Sequence, residues 1–356
     1  MTMAFYIIVL ILLFGVLIAV HEFGHFITAK LLGVRVNEFA IGMGPLLLSR
    51  QKGETQYSLR AIPIGGFCAM EGEDDDSGDP RAFSSKPWWK KFIILVAGSF
   101  MNLLTGVLII LVLFSQVKAF ALPAVDSFSD WSPLAGQSQL QPGDRFLSID
   151  GHKVYTYGDA SLLLGRAGDM VDLVVERDGA RVELPDFYMP RFEIEEDGQT
   201  VLRRGVTIGA EAVAATPLNR IQMTVNQSID YVRMVWMGVG DLITGKVSIQ
   251  DMSGPIYIVK AGADMGAQAE NTADAFFNIL NFMAFIAINL AVMNLLPIPA
   301  LDGGRIFFLA VNGLFTLFTR KRLDPKYEGY VNVAGFFCLI LLMIVVAFND
   351  VLKLIR

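Results

Sequence analysis

Ala4-Phe5-Tyr6-Ile7-Ile8-Val9-Leu10-Ile11-Leu12-Leu13-Phe14-Gly15-Val16-Leu17-Ile18-Ala19-Val20-His21-Glu22-Phe23-Gly24-His25-Phe26 carries no charge until Glu22. The run is about long enough to cross a bilayer core of roughly 30 Å, and it ends in His-Glu-x-x-His. On a helix, residues four apart share a face, so His21 and His25 can reach one tetrahedral zinc. Glu22 stands beside them as a candidate base for activating water. Ionisable side chains within a span are expensive and usually functional. A chance match would leave three polar side chains needing partners in a dry setting. No basic stretch precedes the run and no small-residue cleavage site follows it, so it reads as a retained helix rather than a signal peptide.

Outward from this helix the whole chain is apolar. Of its 356 residues 53% are hydrophobic and 18% charged, with a mean hydropathy of +0.49. This is the composition of a polytopic helical membrane protein. The net charge of −6 offers no basic surface for nucleic acid. Cys68 and Cys338 are too far apart in the chain to suggest a disulfide framework.

Hydropathy predicts four spans: Phe5 to Phe26, Phe92 to Val117, Ala275 to Leu296, and Val331 to Phe348. The piece Ile306–Phe318 is too short to span and reads as re-entrant or interfacial. The loop from Lys30 to Lys91 carries nine lysines and arginines, and the segment Arg305–Lys326 carries five more. The positive-inside rule puts both in the cytoplasm and 118–274 outside. Gln56–Met70 reads as short strands broken by Pro63 and Gly65-Gly66, a hairpin that could dip against the membrane. The middle segment is strand-rich. Arg145–Asp150 is one strand, Met170–Arg177 another ending in an Asp178-Gly179 turn, and Gly158–Leu164 is helical. Val206–Ala210 is a further strand. Asn226–Ile243 is an amphipathic helix that either lies on the membrane or packs on the spans.

A catalytic zinc needs a third protein ligand. The only other histidine, His152, falls in the external segment, so the third ligand must be a carboxylate or cysteine at membrane depth. Asp302 fits best, after Pro297 and Pro299 and before Gly303-Gly304. A plain helix cap is the competing role for it. Asn102, mid-span, and Asn294 could each hold a substrate strand or polarise a carbonyl, or simply bond helix to helix.

Taken together, His21 to His25, Gly98 to Asn102, and Asn294 through Pro297 to Gly304 resemble the site-2 protease family of intramembrane zinc metalloproteases, most closely its RseP-like bacterial branch. The resemblance implies one zinc per chain held by His21, His25 and Asp302, with Glu22 catalytic. It implies that Asn102 and Asn294 handle substrate, together with a membrane-associated β-hairpin over Tyr57–Met70 that includes Ile64, Gly65 and Gly66. Leu140 to Arg145 and Ser148 to Gly151 resemble a single extracytoplasmic PDZ domain at 120–190. The expected organisation is 1–117 with two spans and the hairpin, the PDZ domain at 120–190, a connector at 200–274, and 275–356 with the last two spans. The implied function is cleavage of single-span membrane proteins, such as anti-sigma factors or signal-peptide-like remnants, pre-cleaved by a site-1 protease, in a bacterial inner or plasma membrane. Two alternatives stand: a protease of juxtamembrane peptides, and a non-proteolytic PDZ-bearing scaffold with a structural zinc.

Overall fold

The computed structural model describes residues 2–73, 77–134, 139–196, 199–209, 212–248, 252–320 and 325–355. The chain forms two compact units, one of Met1–Ile109 with Tyr231–Arg356, the other of Ile110–Asp230. Among the described residues four helices are long and apolar enough to cross a membrane: α1 (Met3–Leu31), α2 (Trp88–Ser115), a helix at Thr272–Asn294, and Gly329–Lys353 within the last helix. They coincide with the four predicted spans, each extended by a few residues at one or both ends.

In the first unit, α1 buries Tyr6, Leu10, Leu17, His21, Gly24 and His25. That spacing of three, four or seven is one stripe of a helix. Its apolar half joins Ala263, Ile279, Met283 and Ala287 in a shared core, and its polar end is the histidine pair. The same packing that seats α1 therefore aims both imidazoles inward.

Two strands follow, β1 (Val36–Lys52) and β2 (Thr55–Met70). They do not form a self-paired Tyr57–Met70 hairpin. β2 pairs antiparallel with β1, and Phe39, Ala40 and Ile41 each face two partners, 57–59 on one side and 66–68 on the other. Both strands bend, and the pair folds into four segments in the order 46–52, 55–60, 36–41, 66–70. The bend falls at Gly42 and Gly44, both in the left-handed region, which glycine adopts without steric cost. The Pro63–Gly65 stretch is the corresponding bend of β2.

In the second unit, the strands are β3 (Ala119–Ala121), β4 (Val125–Phe128), β5 (Arg145–Ile149) and β6 (His152–Lys153). After α3 (Tyr157–Arg166) come β7 (Met170–Arg177), β8 (Ala180–Tyr188), β9 (Phe192–Glu196), β10 (Gln199–Arg203), β11 (Val206–Ile208) and β12 (Ala212–Ala214). A four-stranded sheet runs β6-β5-β7-β8, while β3 pairs β12, β4 pairs β11, and β9 pairs β10. Asp178 and Gly179 both have positive φ, the two-residue turn expected between β7 and β8. The strand forecast at Val206–Ala210 is β11; Ala210 lies outside the described residues. β11 and β12 pair back onto the start of the unit, so its sheets close only with residues beyond 190.

α4 (Pro217–Ile243) starts nine residues earlier than the amphipathic pattern suggested. α5 (Pro255–Ala267), α6 (Thr272–Asn294), α7 (Asp302–Thr319) and α8 (Pro325–Ile355) complete the chain. α5 had no sequence forecast. Its Gly262 and Gly266 lie where a Cβ would press on Leu10 and Phe282, and on Tyr6 and Ile279, the small-xxx-small contact of membrane helices. Its first turn is capped from afar. Asp350 of α8, fully buried, accepts from the Gly254 and Tyr257 amides at 2.9 and 3.0 Å.

Candidate metal centre

His25 donates from Nδ1 to the Ile94 carbonyl at 2.8 Å, so its Nε2 is the nitrogen with a lone pair to offer. That Nε2 lies 3.2 Å from His21 Nε2. Asp302 Oδ2 completes a triangle, 3.1 Å from His21 Nε2 and 3.3 Å from His25 Nε2. Ligands on a tetrahedral zinc at about 2.0–2.1 Å stand roughly 3.3–3.4 Å apart, so the triangle has the right edge. Asp302 Oδ2 is buried and, among the described residues, has no hydrogen-bond partner. Three lone-pair donors converging at this distance in a buried place repel one another unless a cation sits among them. The donor set fits zinc, and His21, His25 and Asp302 form a single zinc-binding site.

How Asp302 arrives there settles its competing role. α7 is capped at Leu301, Asp302 is its first residue, and no side chain caps the helix. The carboxylate is thus free to turn toward the histidines. The glycines after it serve the backbone: a Cβ on Gly303 would strike the Leu295 and Leu296 carbonyls, and one on Gly304 the Ile298 carbonyl. The Pro297–Pro299 link therefore packs tightly across the start of α7 and fixes Asp302 in place.

α2 supplies the far wall. Ile94, Gly98 and Asn102 are four apart and share one face. A Cβ on Gly98 would lie against His25 Nε2 and His21 Nε2, in the space where the ligand atoms meet. The Asn102 amide, 1% exposed, is 3.4 Å from His21 Nδ1.

Glu22 faces away from the triangle's far wall, into a cleft of about 550 Å³. Its Cγ lies 3.5 Å from where a Cβ on Gly66 would be. His21, His25 and Asp302 lie at the floor, and the walls are Phe67–Met70, Asn37, Glu71, Glu73, Ser77, Leu95, Leu301 and Arg305. Arg305, one turn after Asp302, is ion-paired with Glu73 across the cleft. Polar walls of this kind admit water to an otherwise apolar unit.

Residues 9–342 match the family described as Peptidase family M50. The chain belongs to this peptidase family. It is 38% identical over 348 residues, 98% of this chain and 97% of the other, to a Clostridium acetobutylicum protein named "Putative zinc metalloprotease". A Clostridium perfringens protein of the same description is also 38% identical, over 349 residues and 98% of both chains. The "Regulator of sigma-W protease RasP" of Bacillus subtilis is 27% identical over 432 residues, 98% of both. Family, metal triad and spans together make this M50 member a multi-pass bacterial membrane protein and an intramembrane zinc endopeptidase.

Of the residues singled out from sequence, His21, Glu22, His25, Asp302, Asn102 and Gly66 meet at this centre. Asn294 closes α6 and is not among the cleft-lining residues. Ile64 belongs to the bend of β2, and Gly65, where a Cβ would press on Met43, is not among the cleft-lining residues. Sequence reading passed over the Ile94 carbonyl, which no residue type reveals, and the Arg305–Glu73 pair. The i, i+3 spacing of Asp302 and Arg305, which puts both on one face of α7, is the sequence signal for that pair.

Proposed function

We propose that this M50 peptidase cleaves single-span membrane proteins within or at the edge of the bilayer, after a first cut outside. The observation that carries the reading is Glu22 beside the His-His-Asp triangle, with the Phe67–Met70 strand along the same cleft. Zinc supplies Lewis acidity, polarising a carbonyl and acidifying water. Glu22 takes the proton of the attacking water and returns it to the leaving amine. A spanning helix has its amides paired and dry, so it must unwind before attack. Among the described residues no strand pairs with the outer edge of Gly66–Met70. An unwound substrate segment adding there as a strand keeps its backbone satisfied beside the base. Gly66 thereby becomes substrate-handling, whereas Ile64 and Gly65 shape the bend behind it.

The finer assignment is to the RseP-like branch with one PDZ domain, formed by the β5–β8 sheet and α3 with the strands that close on them. This domain would sit outside the cytoplasm and exclude substrates with bulky external parts. A regulator of a sigma-factor pathway among the relatives favours anti-sigma-factor-like substrates over soluble peptides. A scaffold with a structural zinc has no use for Glu22 at the cleft. Reconstituted protein with trimmed single-span substrates tests the proposal. Cleavage should occur, stop with a chelator, and fall at least about 100-fold in Glu22→Gln with zinc retained. Cleavage at the parent rate by that variant would refute the base role, and a preference for soluble peptides would favour the juxtamembrane alternative.

A further inference from the structure

The two zinc-ligating imidazoles differ in what holds their outer nitrogens. His25 Nδ1 has the Ile94 carbonyl. For His21 to offer Nε2 to the same metal, its Nδ1 must carry the proton and needs an acceptor. The polar group facing it is the Asn102 amide, at 3.4 Å. Asn102 Oδ1 is buried and, among the described residues, has no hydrogen-bond partner. A half-turn of the amide about its last bond brings Oδ1 to His21 and satisfies both atoms. The helix geometry explains the pairing. The Ile94 carbonyl points toward the C-terminal end of α2, while the Asn102 side chain leans back toward the N-terminal end. The two acceptors thus close on Gly98 from opposite sides, and the i, i+4 histidines of α1 fit between them.

We infer that Asn102 is a positioning residue for the metal. Its Oδ1 accepts from His21 Nδ1, fixes the tautomer and holds the ring toward zinc. This role differs from the substrate-handling one implied by resemblance, and it rests on the zinc site argued above. Outer partners of this kind typically set metal affinity by about 10- to 100-fold.

Zinc titration of the purified full-length protein in detergent, against a chromophoric chelator, tests it. Asn102→Leu, close in volume but without an acceptor, should bind zinc about 10- to 100-fold more weakly. Asn102→Asp keeps an acceptor and should hold zinc at least as tightly as the parent. Cobalt substitution should give a parent-like visible spectrum in the Asp variant and an altered one in the Leu variant. A substrate-handling role predicts the opposite: both variants lose cleavage and both keep parent zinc affinity. Zinc affinity of Asn102→Leu within about twofold of the parent, a margin set well below the expected loss, would overturn the inference. If the Leu variant does not fold, Asn102→Ala carries the same comparison. Parent protein that takes up no zinc would sink the metal-site reading itself, a separate failure.

Discussion

At the residue scale, the centre depends as much on an absent side chain as on the ligands. Gly98 leaves open the space where the two Nε2 atoms and Asp302 converge, and any Cβ there would lie against both rings. Gly98→Ala should therefore lose zinc while the helices stay formed, since alanine is the better helix residue by about 1 kcal/mol. Metal content per folded protein measures this, and full zinc occupancy would show that the rings can retreat. Asp302→Ala should also lose zinc, but for want of a ligand rather than for want of room.

At the element scale, β2 and the long helices carry separate duties. In an extended strand successive amides face opposite edges. Proline substitutions at Phe67, Cys68 and Ala69 should alternate in effect: where the amide faces the cleft, cleavage falls with the fold intact. Where it faces β1, the sheet itself is damaged. A uniform loss across the three would argue against strand addition. The β1–β2 turn is tied to the end of α1 and to Arg81 through Glu54, which bonds Lys30 and Arg81 at 2.7 Å each. Lys30, and then Arg81 against a small burial penalty, hold the Glu54 carboxyl below its ordinary value of 4.5. A depressed carboxylate adds stability above its unfolded pKa and loses it as pH falls through the folded value. Melting temperature should thus drop more for the parent than for Glu54→Gln between pH 6 and pH 4, if only slightly for so exposed a pair. In α8, Asp350→Ala should cost about 1–2 kcal/mol, because two amides at the start of α5 lose their acceptor in a buried place.

At the scale of the whole molecule, the proposed orientation puts Lys30–Lys91 inside and the second unit outside. With Cys68 and Cys338 replaced, Ser127→Cys should label in intact cells with an impermeant thiol reagent and Ser77→Cys should not; the reverse would invert the topology. The strand pairs also say where the second unit can be removed. Ala119 pairs with Ala214, so excising 119–214 joins neighbouring ends, whereas a cut ending at Pro190 strands β11 and β12. If the unit acts as a filter, the excised protein should still cleave trimmed substrates and should newly accept untrimmed ones. Loss of trimmed-substrate cleavage in a zinc-loaded, folded deletion would assign it a recognition role instead.

The spans, the zinc motif, the candidate third ligand and the strand-rich middle were all legible in the chain before any tertiary contact was known. Hydropathy over twenty residues, an i, i+4 histidine pair and an Asp-Gly turn are local signals that survive without a fold. Asp302 was legible as a candidate because so few ionisable residues lie at membrane depth, but not as a ligand. A carboxylate at a helix start caps or coordinates according to what faces it, and only the packing of the Pro297–Pro299 link across the start of α7 decided that. The same holds for Asn102, whose use depends on a histidine 81 residues away. The path of β1 was also invisible from sequence. Its residues 36–52 alternate poorly because the outer part of the strand, 43–52, is exposed on both faces, so no single face is marked by polarity. α5 escaped notice because its glycines, which read as breakers in isolation, are what let α1 and α6 close against it.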